Sequence, residues 1–213
     1  MTDHCEQPRT ERIDPEDAIR LPSGTDPARA AFVYPLARAL RITRFVAPDD
    51  RSLISLIGCD AHTLLAAQLI AAHSPKVRVL ALHDADLERC DRWGIRHRSL
   101  ADAGLRNDQD IVVLGRADTS HTQLPPDVLP GLLRPRGRLI FTESAGETPL
   151  TPASVVAGEF LVSGVRGGCL LEAAEMLASP RCPEIAGLQF EIRRESPAER
   201  PARFGSVLLT APD

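Results

Sequence analysis

Three short stretches hold the side chains able to do chemistry. Cys59, Asp60 and His62 share the turn Gly58-Cys-Asp-Ala-His-Thr63, while His83, Asp84 and Asp86 share a second stretch. Asp118-Thr-Ser-His-Thr122 is a third polar run. A thiol or imidazole beside carboxylates suits acid–base work, and His with Asp is a donor set for a divalent metal. Cys59, His62, His83 and His121 are therefore the candidate catalytic groups. No recognised ligand spacing joins them, so no metal site is assigned, and the competing reading is a set of solvated loop residues. Ser120 and His121 are chain neighbours, and adjacent side chains rarely face each other, so the pair is not read as a nucleophile and its base.

Whether these stretches meet depends on the elements that carry them. Asp26-Pro27 opens a helix over 28–45, with Asp26 as N-cap and Pro27 in the first turn, and Pro48-Asp-Asp50 breaks it. Ser52–Ile57 is a nearly continuous apolar run of the kind found in strands buried on both faces. The pattern then predicts a helix over 63–73, a strand over 77–82 and a helix over 86–93 closed by Gly94. A strand over 110–114, a short helix over 126–133, a turn at Pro135-Arg-Gly137 and a strand over 138–143 follow. A strand at 159–163, the turn Arg166-Gly-Gly168 and a helix over 170–178 complete the main body. Two late runs, Leu188–Ile192 and Ser206–Leu209, read as short strands.

Strands alternating with helices in this way predict a doubly wound, mostly parallel Rossmann-type α/β sheet with a short C-terminal β appendage. The expected organisation is a tail and linker over 1–25, the Rossmann-like domain over 26–180 and the appendage over 181–213. In such a sheet the turn after the first strand faces the ligand crevice. A dinucleotide fingerprint places glycines at its first, third and sixth positions. Gly58 fills the first, whereas Asp60 and Thr63 replace the others. Asp60 sets a carboxylate where the backbone should approach a pyrophosphate, opposing the anion that a helix N-terminus attracts. Asp84 is the candidate acid for the ribose hydroxyls, and His83 and Arg89 leave room for a phosphorylated ribose. Gly58, Asp60, Thr63, His83, Asp84 and Gly115 are the expected contacts if NAD(P) binds.

Composition narrows the class further. The 213 residues carry a net charge of −4, with 43% hydrophobic and 25% charged residues, the balance of a globular protein. That weak acidity argues against a nucleic-acid binder, and no apolar run is long enough to cross a bilayer. Met1–Arg20 lacks an apolar signal core, so a cytoplasmic protein is expected. Five scattered cysteines without a C-x-x-C pair fit free thiols in a reducing compartment. Lys76 is the single lysine, and the evenly spread arginines read as codon bias.

The order of segments resembles the cofactor domain of the medium-chain dehydrogenase/reductase family, the zinc alcohol dehydrogenase type. The resemblance runs through Leu21-Pro-Ser-Gly24, Ala30-Ala-Phe-Val-Tyr-Pro-Leu-Ala37, the Gly58 turn with Ala66-Ala-Gln-Leu69, and Arg92-Trp-Gly-Ile95. It continues through Asp110–Gly115, Leu132–Thr142, Phe160-Leu-Val-Ser-Gly164 and Ser206-Val-Leu-Leu209. It implies a nucleotide-binding fold, with the loop at 118–122 near the nicotinamide. Alignment on Gly94 puts Ala81 where the family has its ribose-binding acid. The zinc-carrying catalytic domain of the family has no counterpart in these 213 residues, so no zinc is expected and the length speaks against independent catalysis. The resemblance also implies a homodimer through an edge strand at Phe160–Ser163, since an exposed apolar edge needs covering.

Three functions compete. The first is a non-catalytic pseudo-enzyme, a binding or accessory protein of a biosynthetic pathway that holds a small molecule, a peptide or a partner enzyme. The second is an NAD(P)-dependent oxidoreductase or a component of one. The third is an S-adenosylmethionine methyltransferase-like protein, because Pro135-Arg-Gly-Arg-Leu-Ile140 resembles that class too.

Overall fold

The computed structural model describes residues 19–23, 25, 30–115, 124–142 and 150–179. Among them the chain forms α1 (Val33–Val46), β1 (Ile54–Ile57), α2 (Ala61–Ala71), β2 (Val77–Ala81), α3 (Asp84–Arg92) and β3 (His97–Ser99). It continues with β4 (Gln109–Leu114), α4 (Val128–Leu132), β5 (Leu133–Thr142), α5 (Pro152–Gly158), β6 (Leu161–Val165) and α6 (Leu170–Ala178). The strands form one sheet in the order β3-β2-β1-β4-β5-β6, and every neighbouring pair is parallel. This is the Rossmann-type order expected from the alternation, with its reversal between β1 and β4. No helix among the described residues is long and apolar enough to cross a membrane.

Each face of the sheet carries a hydrophobic cluster, as the continuous apolar strands require. On one face Leu56, Val79 and Val113 pack beneath α1, α2 and α6. Helix α1 supplies Val33, Leu36, Ala37 and Leu40, one stripe at helical spacing. On the other face Leu80, Val112 and Leu139 meet Leu124, Val128 and Leu129 from the α4 region. Trp93 is half-buried against the first cluster, and its carbonyl accepts from Gln68 Nε2 at 3.2 Å.

Several boundaries differ from expectation, each for a local reason. Residues 26–29 lie outside the described set, and α1 runs to Val46, where Ala47 closes it in a left-handed conformation (φ 49°). Helix α3 starts at Asp84, two residues early, because His83 is already extended and two acids favour the first turn. The Pro-Arg-Gly turn is looped out within β5: Gln109 pairs with Leu133, but Ile111 pairs with Arg138. Helix α5 was not expected; Thr151 and Ser154 cap it reciprocally, and Pro152 occupies its first turn. That helix moves the following strand forward to Leu161–Val165. Phe160 is therefore not an edge residue, since its ring is buried in the second core cluster and its N–H donates to Val155 O. The strands expected at Leu188–Ile192 and Ser206–Leu209 lie outside the described residues.

One cation ties the two halves of the first face together. Arg138 on β5 donates to Val46 O at 3.1 Å and to Phe45 O at 2.8 Å, satisfying carbonyls at the C-terminus of α1. Replacing it removes both donors and leaves half-buried carbonyls unpaired. Arg138→Leu is expected to cost about 1–3 kcal/mol, read as a lower urea midpoint at unchanged slope.

Candidate functional site

The turn after β1 lies at the strand-order reversal, where ligands of open α/β sheets bind. Gly58 takes φ 111°, a backbone conformation closed to other residues, and sends the chain sharply into α2. Asp60 is the N-cap of α2: it is extended (φ −72°, ψ 163°), and its carboxylate accepts the Thr63 N–H at 2.8 Å. His62 Nε2 lies 3.1 Å from the same Asp60 oxygen. The positive end of α2 therefore already holds a negative charge supplied by the chain itself.

The space around this cap is tight. A Cβ on Gly115, just beyond β4, would lie 2.2 Å from Thr63 Oγ1, 3.1 Å from Ile57 O and 3.3 Å from Asp60 Oδ2. The third fingerprint glycine normally allows close helix–strand approach. Here Thr63 occupies that position and Gly115 provides the room from the opposite side. The Thr63 hydroxyl is fully buried and has no hydrogen-bond partner among the described residues.

The second stretch is held to the first by α3. Arg89 Nη1 donates to Cys59 O at 3.1 Å and to Asp86 Oδ1 at 3.0 Å, bridging α3 and the β1–α2 turn. Cys59 Sγ lies 3.9 Å from Cys90 Sγ, and both thiols are buried. The hydrogen bond to Cys90 and the burial both push the Cys59 thiol well above the usual range, so it stays protonated. The partner role of Cys90 left no trace in sequence spacing, because it lies 31 residues away on the next helix.

The expected site residues thus divide. Gly58, Cys59, Asp60, His62, Thr63 and Gly115 come together at the β1–β4 reversal. His83 and Asp84 are exposed at the start of α3, and Ala81 ends β2. His121 and the 118–122 loop lie outside the described residues. Among the described residues no three of His, Cys, Asp and Glu converge as a metal site.

This geometry can be tested against a dinucleotide. Gly58 and the strand reversal suit one; the cap of α2 does not. A carboxylate about 5 Å from a phosphate charge costs about 3 kcal/mol at an effective dielectric of about 20. The helix terminus returns about 0.3–1 kcal/mol, or about 2 in favourable geometry. Repulsion wins, so these residues do not fit a pyrophosphate seated on α2.

No family model and no curated protein matches the chain. Solved structures do. An alcohol dehydrogenase from Aeropyrum pernix is 19% identical with a TM-score of 0.61, covering 78% of this chain and 52% of its own. The L-idonate 5-dehydrogenase of Escherichia coli is 14% identical with a TM-score of 0.60, covering 79% and 51%. Acetophenone reductase from Geotrichum candidum, solved in complex with NAD, is 17% identical with a TM-score of 0.59, covering 78% and 49%. The likeness is one of fold, and the chain spans about half the length of these dehydrogenases.

The thiol geometry has a direct consequence. Under native conditions at neutral pH, iodoacetamide is expected to modify the exposed Cys169 and to spare Cys59 and Cys90. Peptide mass spectrometry reads the difference, and rapid modification of Cys59 would contradict its burial against Cys90.

Proposed function

We propose that this chain is an alcohol dehydrogenase-like Rossmann protein whose crevice no longer seats a dinucleotide pyrophosphate, and that it works by binding rather than by hydride transfer. One observation carries this reading: the Asp60 carboxylate accepts the Thr63 N–H at 2.8 Å and so fills the place an anion would take on α2. Arg89, which sequence spacing offers to a phosphorylated ribose, already holds Cys59 O and Asp86. The role that follows is that of an accessory or pseudo-enzyme, holding a small molecule or a partner protein.

Gly58 at φ 111° and the NAD complex of the acetophenone reductase favour a second reading, a working NAD(P)-dependent oxidoreductase component. Calorimetric titration with NADH and NADPH separates the two. The binding-protein reading expects no saturable isotherm up to about millimolar cofactor in the native chain. It also expects Asp60→Gly to gain measurable affinity, because the variant removes the charge that opposes the pyrophosphate. Micromolar binding by the unaltered protein would overturn the first reading and favour the oxidoreductase one.

The partner we infer is a second copy of the chain, joined along β6. Among the described residues this strand ends the sheet, with Leu161 63% and Val162 41% exposed. An apolar edge of this kind invites pairing, and a two-fold axis would cover both copies at once. Light scattering at micromolar concentration is expected to give a dimer and Leu161→Lys a monomer. A monomeric native protein would end the dimer reading.

A further inference from the structure

Among the described residues, the crossover from β3 to β4 leaves one corner of the sheet without a helix. Helices α2 and α3 lie on the first face, whereas the α4 region and Phe160 beyond α5 cover β4 and β5 on the second. Residues 100–108 must carry the chain from β3 past β2 and β1 to β4, and they contain no helix. Such parallel crossovers ordinarily take a dozen or more residues and a helix. Ala103 is buried in the second cluster, but the loop is otherwise exposed or half-buried.

The strands beneath that corner place arginines on its face. Arg78 lies between Val77 and Val79, which belong to the first face, so its side chain stands on the second with Leu80. Val79 pairs with His97 and Leu80 with Arg98, which sets Arg98 beside Leu80 and Arg96 beside Arg78. Arg96 O accepts the Val79 N–H at 2.9 Å, confirming the adjacency. Neighbouring strands are about 4.8 Å apart, so the three guanidinium groups share one short stretch of surface. Arg106, on the crossover, adds a fourth positive charge that acts on Arg78.

These charges are poorly compensated. Among the described residues none of the four arginines makes an ion pair. Among the described residues Arg78 donates through Nε alone, to Ser55 Oγ at 3.1 Å. Ser55 is fully buried and donates in turn to Gln109 Oε1 at 2.6 Å, and Gln109 Nε2 donates to Asp108 at 2.6 Å. The crossover carries two carboxylates, Asp102 and Asp108, and the second is already engaged by that amide. Burial depresses the Arg78 guanidinium below its ordinary value; Asp108 opposes the shift, and Arg98, Arg96 and Arg106 add to it. Arg78 is thus a half-buried cation, fixed by a buried hydroxyl, and among the described residues its two terminal nitrogens meet no acceptor.

We propose that Arg78, Arg96, Arg98 and Arg106 form an anion site on the second face of the sheet, built for the phosphate chain of a compact di- or triphosphate. Guanidinium forks match phosphate oxygens in pairs, and several converging forks suit a short chain of phosphates better than one isolated charge. The patch is confined between the sheet edge at β3 and the α4 region, and the chain as a whole carries a charge of −4. A long polyanion would meet that net negative charge beyond the patch, which favours a small ligand over a nucleic acid. This site is on a different face from the Asp60 cap and does not rest on the reading of the crevice.

Calorimetry with inorganic tripolyphosphate on the full chain at low ionic strength tests the proposal. A saturable one-to-one isotherm is expected, weakening by about tenfold or more in Arg96→Ala/Arg98→Ala. Both positions are exposed, so an unchanged thermal melt will separate lost binding from lost folding. Adenosine triphosphate should bind comparably, since recognition rests on the phosphates. The proposal is overturned by no saturable binding, by equal binding in the double variant, by binding of the nucleoside triphosphate but not tripolyphosphate, or by an oligonucleotide whose affinity climbs with length.

Discussion

The structure turns on a single hydrogen bond, from the Thr63 N–H to the Asp60 carboxylate. A helix N-terminus presents donors without intrahelical partners, and something must accept from them. In nucleotide-binding members of this fold class a phosphate does so, which leaves a helix end dependent on its ligand. Here the chain supplies the acceptor, and α2 is capped without one. An N-cap aspartate is worth about 1 kcal/mol to the helix. The same residue therefore stabilises the fold and opposes an anion at the place where the fold would otherwise bind one.

The neighbouring substitutions fit that arrangement. With Thr63 in place of a small residue, α2 would be forced from β4 unless the opposite position gave way. Gly115 gives way, and a Cβ there would overlap the threonine hydroxyl. Arg89 then draws the Cys59 carbonyl towards α3, while Cys59 and Cys90 close the gap beneath. The turn is packed from three sides. Opening it for a pyrophosphate would disturb the helix cap, the Gly115 contact and the arginine bridge together.

Much of this was legible in the sequence, and the exceptions have physical causes. The apolar runs of β1, β2 and β4 announce a buried parallel sheet, and helix α6 falls at Leu170–Ala178 as its pattern predicts. Asp60 as an obstacle to a pyrophosphate is equally visible, because a carboxylate in that turn has few places to go. Helix α5 escaped because Pro152 and the β-branched Val155 and Val156 weaken a helical reading, although the Thr151 cap was there to find. The Cys59–Cys90 pair, the Gly115 contact and the arginine corner join residues distant in sequence. They follow from strand order and register, which no local pattern encodes. Arginines spread along the chain read as codon bias until the register of β2 and β3 gathers three of them on one face.

The filled cap of α2 is tested most directly by asking what the native protein carries. Mass spectrometry of the supernatant from freshly purified, denatured full chain reads any bound nucleotide without assuming its identity. A chain whose helix end is closed by Asp60 should release no stoichiometric NAD, NADP or reduced form of either. Release of one dinucleotide per chain would contradict the account.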